Sequence, residues 1–449
     1  MTARVEKTPL DALAAAKIGA EGGQLTQAQL SGYQLVRLKD TITRVQSLSP
    51  FYRRRLAGKK VASLTRLEDF ADYPFTTADD VTEHAIEMVC GSQSEINRVV
   101  TLATSGTTGN PKRVYFSKFD QQLTIEHFGC GMSTLVGPGD KTLILLPGER
   151  PGSVGDLLLK GLLAIGVVPV AYGLVQNPAD AVRKMCLEQA TSIVGIPVQV
   201  LAMARYWEKW GKSSWAPRCG LLSTDYVPAA VVNELRRIWN CEIYDHYGMT
   251  EMGLGGGMEC SAHTGHHLRE ADLYFEIIDP DSTRVLPDGE YGEVVFTTLT
   301  RKGMPLIRYR TGDISRFIPE LCPCGSILRC LERVRCRKDG RVSLGQAGII
   351  TMADFDEVLL PLPEVINFTA TVFTGQPSKV KLVVEVLSQE RILDEAVVLQ
   401  AVRQLPVIRQ AEQERSIVLE AAIACDLSLP PGKRSISVIG PREDAVSGR

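Results

Sequence analysis

From about residue 98 the chain alternates short, β-rich apolar runs with amphipathic stretches: RVVTLAT, TLILLP, VVPVAY, SIVGIP, CGLLST and CEIYDHYG follow one another. Strands spaced by helices bury both faces of a sheet, so this stretch reads as layered α/β structure. After residue 270 the spacing tightens to LYFEIID, GEVVFTTL and DISRFI, joined by Pro/Asp/Gly turns such as DPDSTRVLPDGEYG, the pattern of an antiparallel β section. The last hundred residues hold an amphipathic helix (MADFDEVLLPL), two strands (VINFTATVF, KVKLVVEVL), a further helix (EAVVLQAVRQL) and a strand (SIVLEAAI), a separate small α+β domain. Apolar residues at helical spacing between 26 and 57 (Leu30, Tyr33, Leu35, Leu38, Ile42, Val45) predict a helical lead, closed by SPFYRRRLAG. The expected organisation is a large N-terminal domain over 1–337 and a small C-terminal domain over 338–449. Their junction falls in the charged stretch from Arg333 to Arg341.

A chain of 449 residues, 44% of them hydrophobic, can bury ample core and is neither disordered nor fibrous. Its 50 basic and 52 acidic residues nearly cancel, so no global field draws it toward nucleic acid or an anionic membrane, and small molecules are the expected partners. The Ala-rich opening is interrupted by Asp11 and Lys17, too short and polar for a signal sequence, and no 18-residue apolar run follows. The expected location is cytoplasmic. The 11 cysteines are an odd count in a chain that needs no disulfide staples, which predicts reduced thiols, buried hydrophobes or metal ligands.

Four motifs carry possible chemistry. TSGTTGNPKRVYFS (104–117) follows an apolar run: Gly106 and Gly109 let backbone approach an anion, while Ser105, Thr107, Thr108 and Lys112 can bond phosphate oxygens. It reads as a phosphate clasp and is not a Walker loop. In IYDHYGMTEMG (243–253) a strand runs into a turn at Gly248, presenting Tyr247 to stack on a base, Thr250 to a phosphate and Glu251 as a hard oxygen ligand for Mg²⁺. In IRYRTGDIS (307–315) the Asp313 carboxylate can accept from ribose hydroxyls, and Arg308 or Arg310 can neutralise it or a phosphate. PPGKRS (430–435) offers Lys433 in a loop of the small domain. Taken singly, the last three read as well as structural turns.

A metal site is also suggested. Cys260 opens CSAHTGHHL, with His263, His266 and His267 close behind, and Cys322-Pro-Cys324 lies about sixty residues on. Two thiolates with Cys/His partners suit a tetrahedral structural zinc, although C-x-C is less specific than C-x-x-C.

The four motifs, in this order and at these separations, resemble the adenylate-forming superfamily of acyl-CoA synthetases, adenylation domains and luciferase. Within it the chain is most similar to the phenylacetate-CoA ligase branch, to which SPFYRRRLAG, RLEDFADYPFTTADDV, MPLIRYRTGD and CPCG also point; the resemblance spans about residues 35 to 440. It implies an ATP-dependent carboxylic acid–CoA ligase that works through an acyl-adenylate, with an aryl acid such as phenylacetate as default substrate. The alternatives are an enzyme loading a carrier-protein phosphopantetheine and a non-catalytic nucleotide-binding relative. The resemblance assigns Thr104, Ser105, Gly106, Thr107, Thr108, Gly109 and Lys112 to the phosphates, and Asp245, Tyr247 and Gly248 to the adenine side. Thr250 would meet the α-phosphate, Glu251 the Mg²⁺, Asp313 the ribose, and Lys433 would be the adenylation lysine of a mobile C-terminal domain. The same branch implies a structural Zn²⁺ on Cys260, His267, Cys322 and Cys324, with His266 a one-residue rival for the histidine position, and is compatible with a homodimer. One departure stands out: CRKDGRVSLGQAGIIT occupies the hinge, with Gln346-Ala347 where Arg-Gly is expected, leaving Asp339 as the hinge candidate. The segment Gly148 to Leu157 reads equally as acyl-pocket lining or as a connection.

Overall fold

The computed structural model describes residues 5–20, 24–102, 111–211, 215–363, 365–375, 377–386, 393–425, 429–430 and 432–440. The chain divides into two compact units: Met1–Gly173 with Tyr244–Val334, and Leu174–Ile243 with Arg335–Arg449. The last hundred residues therefore cluster with an earlier stretch of chain, a partition the linear reading of domains at 337/338 does not contain. Among the described residues no helix is long and apolar enough to cross a membrane.

The first unit begins with the expected helical lead, divided in two. The helix Gln27–Leu48 starts at a Thr26/Gln29 capping box and buries Leu30, Leu38, Ile42 and Val45. Pro50 cannot continue it, and Ser49 instead caps a second helix, Pro50–Arg55, by accepting from the Tyr52 amide at 3.2 Å. Both helices bury their apolar faces in a core with Phe275, Phe296, Ile307 and Tyr309.

The antiparallel β section runs Leu273–Ile278, Gly292–Thr298 and Tyr309–Ser315, with the middle strand buried at every position. The third strand is irregular. Its register against the middle strand shifts between Glu293 and Val295, opposite Ile314 and Arg310, so residues 311–313 bulge. Gly312 takes φ 77° there, Thr311 Oγ1 donates to the Val294 carbonyl at 2.7 Å, and the Asp313 amide donates back to Thr311 Oγ1 at 3.0 Å. The TGD triplet is thus a device that re-aims Asp313.

Elsewhere in this unit a parallel pair, Lys141–Ile144 with Val168–Ala171, is crossed over by the helix Val154–Ala164. The end of Glu242–Tyr247 pairs antiparallel with Gly257–Glu259, which continues through His266–Leu268 and Cys330–Leu331 to Phe317–Ile318. Ile96–Leu102 pairs with Lys112–Ser117, so the hydroxyl-rich motif connects two antiparallel strands. The segment 148–157 is the entry to the helix Val154–Ala164: Asp156 accepts from the Gly152 amide at 2.7 Å and pairs with Lys160.

In the second unit Ser192–Gly195 and Cys219–Leu222 are parallel and accompany the helices Pro178–Glu188, Pro197–Trp210 and Ala229–Trp239. Its C-terminal part is a four-stranded sheet ordered Ile417–Ala424, Ser378–Val386, Val365–Phe373, Ser437–Ile439, with helices Met352–Leu359, Glu395–Val402 and Pro406–Gln413. The α+β character expected there is present. The helix expected over EAVVLQAVRQL is Glu395–Val402; a second helix, Pro406–Gln413, begins at its proline, and neither it nor the short Ser437–Ile439 strand is among the elements expected from sequence.

One three-way hydrogen bond ties the amino-terminal helices to the irregular strand. Tyr52 Oη accepts from the Ile307 amide at 3.0 Å and donates to Thr76 Oγ1 at 2.9 Å, which donates to the Ile307 carbonyl at 2.7 Å. Burial pushes the Tyr52 phenol well above its ordinary pKa, so it stays protonated. Replacing Tyr52 with Phe orphans a buried amide, and the expected loss is about 1–3 kcal/mol of unfolding free energy, read as a lower urea midpoint at unchanged m-value.

Candidate active site

The strand Glu242–Tyr247 ends in a turn that only glycine can make. A Cβ on Gly248 would stand 2.2 Å from the Leu254 carbonyl oxygen. The chain then forms the single turn Thr250–Met252, closed by Gly253 at φ 77°, and the Gly256 amide returns to the Tyr247 carbonyl at 2.9 Å. This loop lies against the strand Tyr309–Ser315 and meets it at two points. Tyr247 Oη donates to Asp313 Oδ2 at 2.9 Å, and Tyr309 Oη donates to Glu251 Oε1 at 3.2 Å.

Around the second point is a charge cluster. Glu251 is 1% exposed and forms an ion pair with Lys112, whose Nζ also donates to Tyr309 Oη at 3.4 Å. The Glu251 carbonyl accepts from Arg301 at 2.7 Å, and the Arg301 guanidinium lies 4.3 Å from the centre of the Phe116 ring. Thr250 is half-buried beside Glu251. The structure therefore brings Lys112, Tyr247, Glu251 and Asp313 together from three sequence motifs. Tyr309 and Arg301, which the motif reading passes over, complete the group. Tyr309 was detectable as the residue two-residue alternation puts on the opposite side of the strand from Arg308 and Arg310; Arg301 had no sequence signal. Thr104, Ser105, Gly106, Thr107, Thr108 and Gly109 lie outside the described residues. Lys433 belongs to the second unit, exposed, on the segment leading into Ser437–Ile439.

Arg308 and Arg310 are placed differently from expectation. Arg308, 1% exposed and held at φ 45°, forks onto Glu276 at 2.9 and 3.0 Å and donates to the Tyr73 carbonyl at 2.7 Å. Burial pushes the Glu276 carboxyl up against the pull of this guanidinium. Arg310 is committed to Glu293 and, at 3.0 Å, to the Pro280 carbonyl. Both guanidiniums are directed to these partners, on the face of the strand opposite Asp313. Asp245 is likewise engaged: its carboxylate faces His266 at 3.2 Å and Arg333 at 3.5 Å, and its amide donates to Glu259 at 3.0 Å. Burial alone would lower the His266 pKa, but Asp245 and then Glu259 outweigh it and push the imidazole up.

Next to this network, Cys260, His267, Cys322 and Cys324 converge, all buried, with ligand atoms within 4.8 Å of one another. Cys260 and Cys322 sulfurs are 3.6 Å apart, and Cys324 Sγ is 3.3 Å from His267 Nε2. A tetrahedron with Zn–S bonds of about 2.3 Å has edges of about 3.8 Å, so the donor set has the size and chemistry for zinc. His267 Nδ1 lies 3.2 Å from the Leu328 carbonyl; donation there leaves Nε2 as the ligating nitrogen. Alternation along His266–Leu268 turns His266 toward Asp245 and His267 toward the thiols. Cys330 is buried beside the quartet, 3.5 Å from His267 Nδ1.

The chain belongs to the AMP-binding enzyme family, whose model matches residues 59–299. It is 28% identical over 443 residues to a phenylacetate-coenzyme A ligase of Thermus thermophilus, across 91% of this chain and 94% of the relative. It is 31% identical over 299 residues to that of Pseudomonas putida, across 65% and 67%. Among solved structures, a 2-hydroxyisobutyryl-CoA ligase in complex with R3-HIB-AMP has the same fold, with a TM-score of 0.78 at 21% identity over 93% of this chain and 91% of that one.

The two kinds of carboxylate partner are separable by mutation. Arg308→Ala leaves Glu276 buried without its counter-ion and is expected to cost about 3–5 kcal/mol of stability. Asp313→Asn should instead leave the melting temperature nearly unchanged and weaken ATP binding roughly 10- to 100-fold, measured by calorimetric titration.

Proposed function

We propose that this chain is an ATP-dependent carboxylic acid–CoA ligase acting on an aryl acid of the phenylacetate kind. The observation that carries the reading is the double tie Tyr247–Asp313 and Glu251–Tyr309, with Lys112 on Glu251, in a chain of the AMP-binding family. The similarity to phenylacetate-coenzyme A ligases supports the choice of acid and acceptor.

In the first half-reaction an oxygen of the substrate carboxylate attacks the α-phosphorus of ATP, the bond to the pyrophosphate oxygen breaks, and an acyl-adenylate forms. In the second, a CoA thiolate attacks the acyl carbon and AMP leaves. Acid and ATP are both anions, so the first step needs fixed geometry and neutralising charge more than a proton shuttle. Asp313 takes the ribose hydroxyls, with its orientation set by the Tyr247 phenol. Tyr247 and Gly248 border the adenine; Asp245 braces that strand through His266 and Arg333. Thr250 donates to the α-phosphate, and the hydroxyl-rich loop from Thr104 to Gly109 with Lys112 holds the remaining phosphates. Glu251 is the residue to hold Mg²⁺, which when bound neutralises phosphate charge. Lys433 brings a second cation to the adenylation step, and residues 338–449, turning near Asp339, withdraw it for thiol transfer. Cys260, His267, Cys322 and Cys324 would hold a structural Zn²⁺, which would supply a cross-link between their two chain segments. None of the 11 cysteines is paired in a disulfide, in keeping with action in the cytoplasm.

Acid-dependent ATP–pyrophosphate exchange over a panel of aryl and short acyl acids tests the reading. Exchange is expected with an aryl acid and should fall roughly 100-fold or more in Lys433→Ala. Identification of the thioester product then separates CoA from a carrier-protein acceptor. Silence across the panel with ATP binding intact would refute the ligase. For the metal, elemental analysis should find about one zinc per chain, lost in a Cys322→Ser, Cys324→Ser double variant whose melting temperature falls.

A further inference from the structure

The segment that carries Lys433 is fastened on both sides. Upstream, the Pro430 carbonyl accepts from Gln199 Nε2 at 2.8 Å, and Gln199, fully buried in the helix Pro197–Trp210, is itself oriented by the Val175 amide at 3.0 Å. Downstream, Arg434 is sunk between two carboxylates. Its Nε donates to Asp225 at 2.9 Å, and its terminal nitrogens meet Asp356 at 2.8 and 3.0 Å. All three side chains are at most 5% exposed. Lys433 lies between these fasteners and is exposed.

Asp225 follows the strand Cys219–Leu222, whereas Asp356 and Arg434 belong to the C-terminal part of the second unit, so the guanidinium joins two separate stretches of chain. Besides the packing of the helix Pro197–Trp210 on the strand Val365–Phe373, further polar ties join those stretches near Arg434. Glu357 accepts from the Tyr226 hydroxyl at 2.8 Å and from the Ala229 and Ala230 amides at 2.9 and 3.1 Å, capping a helix whose own N-cap is Pro228. Arg205 donates to the Leu360 carbonyl at 2.6 Å. Burial lifts the Asp356 carboxyl to about 7, with Asp225 and Glu357 adding to the lift and Arg434 opposing it. A buried ion pair whose desolvation cost nearly offsets its attraction holds geometry without holding it tightly, which suits a contact that has to open.

We propose that Arg434 is the positioning residue for Lys433: bridged between Asp225 and Asp356, it seats the 430–436 segment for adenylation and separates from Asp225 for thiol transfer. This rests on the ligase reading above. Its consequence is a split between the half-reactions, because only adenylation uses the seated lysine.

The test measures both half-reactions in the full-length enzyme: ATP–pyrophosphate exchange, and transfer from chemically synthesised acyl-adenylate to CoA. Arg434→Ala and Asp225→Asn should lower exchange about 10- to 100-fold, the scale of a misplaced catalytic group, with transfer unchanged or faster. Arg434→Lys, which can reach one carboxylate, should recover part of the loss. Should Arg434→Ala not fold, Asp225→Asn alone decides, since the amide keeps the shape of the site and removes the charge. Exchange at the wild-type rate in these variants, or equal losses in both half-reactions, would overturn the proposal. Lys433→Ala keeps the two readings apart. If it loses exchange while Arg434→Ala and Asp225→Asn do not, the ligase stands and the seating role falls. If the wild type itself shows no exchange, the ligase reading has failed.

Discussion

A carboxylate that is 1% exposed needs a counter-ion and hydrogen bonds to offset its loss of water, and Glu251 is in that position. Lys112 supplies the charge, and Tyr309 and Arg301 satisfy the side-chain and main-chain oxygens. Those partners come from a strand near residue 112, a strand near 309 and the turn at 301, so satisfying one buried carboxylate fixes three distant stretches of chain. The same demand recurs through the first unit, where Arg308 answers Glu276, Lys17 and Arg269 answer Asp272, and Arg329 answers Glu270. Partnered buried charge adds little net stability, but it penalises every arrangement that separates the partners.

The strand Tyr309–Ser315 is where these demands meet. Its bulge turns Asp313 to Tyr247, its alternation sends Arg308 and Arg310 to the far side, and its entry is held by Tyr52 and Thr76. The amino-terminal segments around SPFY and PFTT thus act at a distance in sequence: they hold the backbone whose side chains form the site. Arg308 stands in the motif read as nucleotide-binding, yet its contacts are with Glu276 and the Tyr73 carbonyl.

The second unit is built on a different balance. Its sheet and helices bury apolar residues, the helix Pro197–Trp210 packing on the strand Val365–Phe373, while the ties around Lys433 are ion pairs, a helix cap and amide contacts. Hydrophobic burial is non-directional and favours permanence; polar contacts can be exchanged for water at small net cost. The role proposed for the Lys433 segment, serving one half-reaction and vacating for the next, is suited to fastening by the latter.

Periodicity and turn chemistry alone determined the α/β layers, the antiparallel section, the α+β character of the last hundred residues and the helical lead, because these depend on which face of a local segment is apolar. The resemblance carried by the ordered motifs likewise pointed to Lys112, Tyr247, Glu251 and Asp313 as a group, and the structure brings them together. Only the tertiary structure decided the rest. It chose His267 over His266 through the direction of one strand's pleat, withdrew Arg308 and Arg310 into pairs with Glu276 and Glu293, and added Tyr309 and Arg301. It also joined residues 174–243 to the C-terminal stretch, which no linear boundary expresses. Each of these choices depends on which buried group lies opposite which, and that is settled by contacts between residues far apart in the chain, where local pattern carries no information.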